Sequence, residues 1–115
     1  MVMTHKPMRG WSVINVPMNN PEFIKSIEDS YAKGVEIIKK KNADYANETD
    51  PFKNFRSAEV AGIGVGRAII VRVLDKISRI QNLLDREAAV KDEKIEDTLL
   101  DAINYLAILK AYLEQ

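Results

Sequence analysis

The residues that most restrict the possible folds lie near the C-terminal end. From about Asp92 onward, Ile95, Leu99, Ala102, Ile103, Leu106, Leu109 and Leu113 recur at helical spacing, which predicts a final helix with one broad apolar face. Glu93 falls in its first turn, at the positive end of the helix dipole. A second stripe follows the same period: Asp97, Asp101, Asn104 or Tyr105, Ile108 and Tyr112. It runs from carboxylates into aliphatic and aromatic groups, and a purely solvated face has no use for Ile108. A helix apolar on two sides must be covered on two sides. Bundle neighbours are expected on one, and another subunit or a ligand-filled cleft on the other. Asp97 and Asp101 are then expected to be partly desolvated, needing a cation, a hydrogen-bond donor or a metal.

The rest of the chain reads as helices to pack around that one. Asn20 before Pro21 and Glu22 combines a capping side chain, a proline where its missing N–H costs little, and an acid in the first turn. Helix 1 is predicted from there to about Lys41, with Phe23, Ile27, Tyr31, Val35 and Ile38 as its apolar face and Gly34 interrupting it for close packing. From Asn42 to Arg56, "NADYANETDPFKNFR" loses periodicity and gains Asn, Asp and Pro, so it reads as a long loop pinned by Phe52 and Phe55. Ser57 is expected to cap a short helix, and Gly62, Gly64 and Gly66 to mark a break. No strand precedes those glycines, so they make a poor phosphate loop. Helix 3 should run from about Val65 to Arg86, with Ile69, Ile70, Val73, Ile77, Ile80 and Leu84 on its apolar side. Residues 1–19 carry Pro7, Pro17 and the segment "WSVINV" without helical period, and read as an extended arm or leader outside a single helical domain at 20–115.

Composition narrows the chemistry. A chain of 115 residues encloses one hydrophobic core. At 46% hydrophobic and 30% charged it should fold rather than stay disordered. Lys+Arg and Asp+Glu both number 17, so no bulk positive field gathers nucleic acid or an anionic membrane. Any anionic partner must be met by a local cluster. Absence of cysteine removes disulfides, thiolate metal sites and a Cys nucleophile, and no apolar run reaches the length of a membrane span. A cytoplasmic protein is expected. His5, the one histidine, lies in the irregular leader, which argues against His-based nucleophilic catalysis or a zinc site.

Two polar clusters remain as candidate sites. Arg72, Asp75, Lys76 and Arg79 recur at i, i+3, i+4 and i+7 along one side of helix 3. The three cations suit phosphate oxygens, with arginine offering forked donors and lysine a compact charge. Asp97 and Asp101, one turn apart, present hard oxygen ligands to one region of space, as Mg²⁺ accepts when phosphates and waters fill its other positions. Asp75 is placed to complete such a metal site. The alternative is that the two clusters neutralise one another in an interhelical ion-pair network. In the loop, Asn42, Asp44, Tyr45 and Asn54 offer polar groups and a stacking ring for a base and ribose, although Asx-rich sequence is also what ordinary turns use.

The combination "KKNADYAN", "DPFKNF", "VRVLDKISRIQNLL" and "VKDEKIEDTLLDAINYLAI" resembles the phage and bacterial family called nucleotide modification associated domain 1, itself similar to the MazG-like all-α nucleotide pyrophosphatases. The resemblance runs from about Pro21 to Leu113. It implies an all-α, MazG-like bundle that forms a homo-oligomer with a nucleotide site between helices. Acidic residues on two helices would hold Mg²⁺, and a metal-activated water would attack the triphosphate. By position, Asp97 and Asp101 resemble the catalytic acidic pair on the later helix, with Asn104 beside them. Where a MazG enzyme has "ExxE" pairs on the earlier helix, this chain has "RVLDKISR", one carboxylate and three cations, which favours phosphate binding. The implied function is binding of a phosphorylated nucleotide, with Mg²⁺-dependent pyrophosphohydrolysis as one outcome. Sequestration of a nucleotide or cyclic nucleotide signal without turnover is the other.

Overall fold

The computed structural model describes residues 17–43, 50–85 and 95–115. All regular structure among them is helical: α1 (Asn20–Ala43), α2 (Lys53–Arg56), a 3₁₀ helix (Ser57–Ala61), α3 (Val65–Asp85) and α4 (Ile95–Leu113). The expected extended segment at "WSVINV", the loop residues Asp44 and Tyr45, and the first turn around Glu93 lie outside the described residues.

α1 starts one residue earlier in its capping than its sequence suggests. The Asn19 side-chain oxygen accepts the backbone N–H of Glu22 at 2.9 Å, and its amide donates back to the Glu22 carboxylate at 3.1 Å. This reciprocal cap makes Asn19 the N-cap and Asn20 the first helical residue. The helix then continues through Asn42, which the loss of apolar period had assigned to the loop. The opposite correction applies at Ser57. Its hydroxyl donates to the Asn54 carbonyl at 3.3 Å, so it continues the turn begun by α2 instead of capping a new helix. Gly62 ends that turn in the left-handed region at φ 77°, where its N–H closes onto the carbonyls of Ala58 and Glu59.

α4 is the element on which the others assemble. α3 and α1 both pack against it, while α1 and α3 do not touch each other. The main cluster joins Val65, Ala68 and fully buried Ile69 of α3 to Tyr105, Ile108, Leu109 and Tyr112 of α4. Phe52 and Phe55 close it from the side, meeting Tyr112 and Tyr105 edge to face at ring-centroid distances of 5.2 and 6.1 Å. The part of the second stripe formed by Tyr105, Ile108 and Tyr112 is therefore covered, but by the chain's own α3 and phenylalanines, in the place expected for another subunit or a ligand, while Asp97 at its start is exposed. Edge-to-face pairs of this kind add about 0.5–1.5 kcal/mol each beyond the area they bury.

The expected apolar faces of α1 and α3 are only partly used. On α1, Phe23, Ile27, Tyr31 and Val35 are exposed and Ile38 is half-buried. On α3, burial is confined to the side of Val65, Ala68, Ile69, Val73 and Leu83, leaving Ile70, Leu74 and Ile77 exposed. The physical reason is the arrangement itself: α1 meets only α4 among the described elements, and α3 meets α4 with the short α2 and 3₁₀ turns at its N-terminal end, which together cover a narrower arc than either apolar stripe spans.

Candidate functional site

Two polar clusters foreseen on helices 3 and 4 meet at Lys76 and Asp101. Lys76 Nζ of α3 lies 3.2 Å from Asp101 Oδ2 of α4, with both side chains half-buried. The position of Lys76 explains this. It borders the stripe that buries Ile69, Val73 and Leu83, so its aliphatic stem lies along apolar surface while the ammonium reaches the neighbouring helix. Arg72, Asp75 and Arg79 project farther round α3 and are exposed. Asp97, one turn before Asp101, is exposed rather than desolvated, because that turn of α4 buries Ile95 and Thr98 and leaves Asp97 on its open side.

Asn104 has a different employment. It is buried, and its side-chain amide donates to the Gly34 carbonyl of α1 at 3.1 Å. A Cβ on Gly34 would stand 2.7 Å from Asn104 Oδ1, closer than real Cβ contacts allow. Gly34 thus provides the close approach foreseen for it, and the polar group it admits is Asn104.

Asn54 and Arg72, proposed separately from sequence, come together. Both line a pocket of about 150 Å³ between α2, the 3₁₀ helix and α3, with Phe55, Ile63 and Val71 as apolar walls and Ser57 at the rim. Arg72 also heads the cationic row that continues through Lys76 and Arg79, so one side chain belongs to an apolar pocket and to a line of positive charge.

The arrangement holds two further devices that residue spacing did not signal. Asp50 accepts from the Arg56 guanidinium and from the Phe52 backbone N–H at 3.0 Å. The Arg56 hydrogen bond, followed by that of Phe52, holds the Asp50 carboxyl below the ordinary aspartate range, and the same contact raises Arg56. This clasp fixes the turn that delivers Phe52 and Phe55. An aspartate before a proline was its one local sign. On α1, Lys33 meets Glu96 of α4 at 3.0 Å, and that hydrogen bond, reinforced by the Glu96 charge, raises the lysine pKa, with Asp29 and Asp97 contributing less. These groups line an open groove of about 380 Å³ in which Lys25 also pairs with Asp29. Both of its lysines are thus paired with carboxylates, and the third acid, Glu22, is held by the Asn19 cap.

A metal fits this donor set poorly. Among the described residues no three acidic or histidine side chains converge on a common point, and the Asp101 carboxylate is engaged by an ammonium. Asp75 and Asp97 are exposed. Hard cations need several oxygen ligands, so these carboxylates would require phosphate oxygens and water to complete a shell. Among the described residues no helix is long and apolar enough to cross a membrane. No family model, curated protein or solved structure matches this chain.

Proposed function

We propose that the α3 surface beside α4 binds a phosphorylated nucleotide, with its phosphates along Arg72, Lys76 and Arg79 and part of the base or sugar in the Asn54–Phe55 pocket. The observation that carries this reading is the double role of Arg72, which lines an apolar pocket with polar rim groups and begins the cationic row. Ligand sites commonly combine apolar walls with a few placed polar groups. Arginine at the junction supplies forked, charge-assisted donors to phosphate oxygens. The resemblance of "VRVLDKISRIQNLL" and "VKDEKIEDTLLDAINYLAI" to nucleotide modification associated domain 1 supports the same location. The row itself carries three cations and one carboxylate, Asp75, which favours binding over hydrolysis.

Purified protein incubated with a mixed pool of nucleoside mono-, di- and triphosphates and cyclic nucleotides, with and without Mg²⁺, should retain a nucleotide unchanged in both conditions when analysed by mass spectrometry. Arg72→Gln should leave the melting temperature unaltered and weaken retention by roughly one to two orders of magnitude, the effect of losing one charge-assisted contact. Release of pyrophosphate only with Mg²⁺, abolished by Asp101→Asn, would replace this reading with the hydrolase. Unchanged retention by Arg72→Gln, or no retention at all, would leave the row as a surface and interhelical charge network.

A further inference from the structure

We propose that the exposed apolar stripes of α1 and α3 form the contact between two copies of this chain, the α1 stripe of one copy lying against the α3 stripe of the other. On α1 the stripe is Ile24, Ile27 and Tyr31, and on α3 it is Ile70, Leu74 and Ile77; these side chains are between 38% and 60% exposed. Their spacings of three and four residues match the seam of helices packed nearly in line.

Each stripe is distinct from the polar surface of its helix. On α1, Lys25, Ser26, Asp29 and Lys33 line the groove shared with Glu96, and by helical phase they lie opposite Ile24, Ile27 and Tyr31. On α3, Arg72, Asp75 and Arg79 lie on the other flank of the buried strip from Ile70 and Ile77. Water meets the polar flanks without cost, whereas the side chains of the apolar flanks stay exposed: α1 packs on α4, and α3 on α4, α2 and the 3₁₀ helix, through other faces.

A second copy is the occupant that the surface itself specifies. A two-fold contact needs a patch that complements itself, and a chain carrying two apolar helical stripes satisfies this by pairing α1 with α3 twice over. Charge does not oppose the pairing, because the chain carries 17 cationic and 17 acidic residues. The area also fits. Six large side chains at these exposures offer roughly 500 Å² of apolar surface per copy. A standard interface buries about 800 Å² per partner, some 60% of it apolar, or about 500 Å². This surface is separate from the cationic row, so its success or failure is independent of nucleotide binding.

The test uses the full chain in sedimentation equilibrium from micromolar to hundred-micromolar protein. A dimer is expected. Ile27→Glu and Leu74→Glu should each weaken it by about 30-fold or more, as for a residue central to an interface, with the helical circular-dichroism signal retained. Cysteine crosslinking provides a check that does not depend on destabilising substitutions, because the chain has no cysteine. An Ile27→Cys chain mixed with a Leu74→Cys chain should form an interchain disulfide under mild oxidation. Val60→Cys, at a site 96% exposed and off both stripes, should not crosslink with either. A wild-type monomer throughout the range would overturn the proposal, as would a dimer insensitive to both charged substitutions that also fails to give the Ile27–Leu74 crosslink.

Discussion

α3 and α1 are helices of 21 and 24 residues with comparable apolar stripes, and the chain treats them differently. α3 sinks Val65, Ala68 and Ile69 into a cluster closed by two phenylalanines and two tyrosines. α1 meets the same central helix where Gly34 takes the Asn104 hydrogen bond and where Lys33 pairs with Glu96, half-buries Ile37 and Ile38, and leaves Phe23, Ile24, Ile27, Tyr31 and Val35 outside. Amphipathicity states how much of a helix needs covering but not what covers it. Along α3 the cover comes from the same chain, in the aromatic turn at Phe52. Along α1 no described residue supplies it.

The contrast breaks first at its strongest point. Ile69 is fully buried at the centre of the α3 cluster, so Ile69→Ala should cost about 2–5 kcal/mol in urea unfolding, the range for deleting a large aliphatic group from a packed core. The matched change on α1, Ile27→Ala, should stay within about 0.5 kcal/mol when measured on dilute chains that do not associate. Equal effects from the two substitutions would mean that α1 is packed within one chain after all.

Gly34 sharpens the comparison from the other side. In an exposed helix interior Gly→Ala is stabilising by about 1 kcal/mol. Here the added methyl would meet Asn104 Oδ1 at 2.7 Å, so Gly34→Ala should instead destabilise by about 1–3 kcal/mol. Asn104→Ala alone gives up the buried hydrogen bond to the Gly34 carbonyl, at about 1–2 kcal/mol. The double variant should lose less than the sum, because removing the asparagine removes the clash, and thermal unfolding of all four proteins reads that coupling. Additive losses would show that α1 does not rest on this contact.

Much of this arrangement was legible in the sequence, because helical period is a local property. The all-helical class, the run of α3 and the break at Gly62 and Gly64 follow from residue spacing, as does the pinning of the loop by Phe52 and Phe55. Gly66, by contrast, lies inside α3, and Leu106 and Leu113, expected on the core face of α4, are exposed. What spacing cannot carry is which helix faces which. Tyr105, Ile108 and Tyr112 were correctly marked as needing cover, but the aromatic turn that supplies it lies some fifty residues earlier in the chain. Asn104 shared a stripe with Asp97 and Asp101 in one dimension, and its actual partner is a backbone carbonyl on α1. The cationic row and the pair of Asp97 and Asp101 were expected to face each other, as a site or as an ion-pair network, and Lys76 and Asp101 are in contact.

The smallest effects belong to the two ion-pair clasps, and they should fail at opposite ends of the pH scale. The Asp50 carboxyl is depressed in the folded chain by Arg56 and the Phe52 N–H, so its contribution is complete above the ordinary aspartate value of about 3.9. That contribution is lost as pH falls through the lower folded value. Arg56 stays charged across this window. Asp50→Asn should therefore melt slightly below the wild type at neutral pH, and the gap should close only below about pH 4. Lys33 is raised by Glu96, so its contribution is complete below the ordinary lysine value of about 10.4 and is lost as pH rises through the higher folded value. The gap between Lys33→Gln and wild type should accordingly persist at neutral pH and close in strong alkali. Lys33–Glu96 is solvent-exposed and Asp50–Arg56 half-buried, so salt should shrink the first gap more than the second. Differential melting curves over the full pH range then assign each clasp to its region: acid releases the aromatic turn that completes the α3 core, and alkali releases the α1 contact. If Asp50→Asn follows the wild type in parallel through acid, the Asp50–Arg56 pair does not hold that turn, and the closure of the core rests on Phe52 and Phe55 alone.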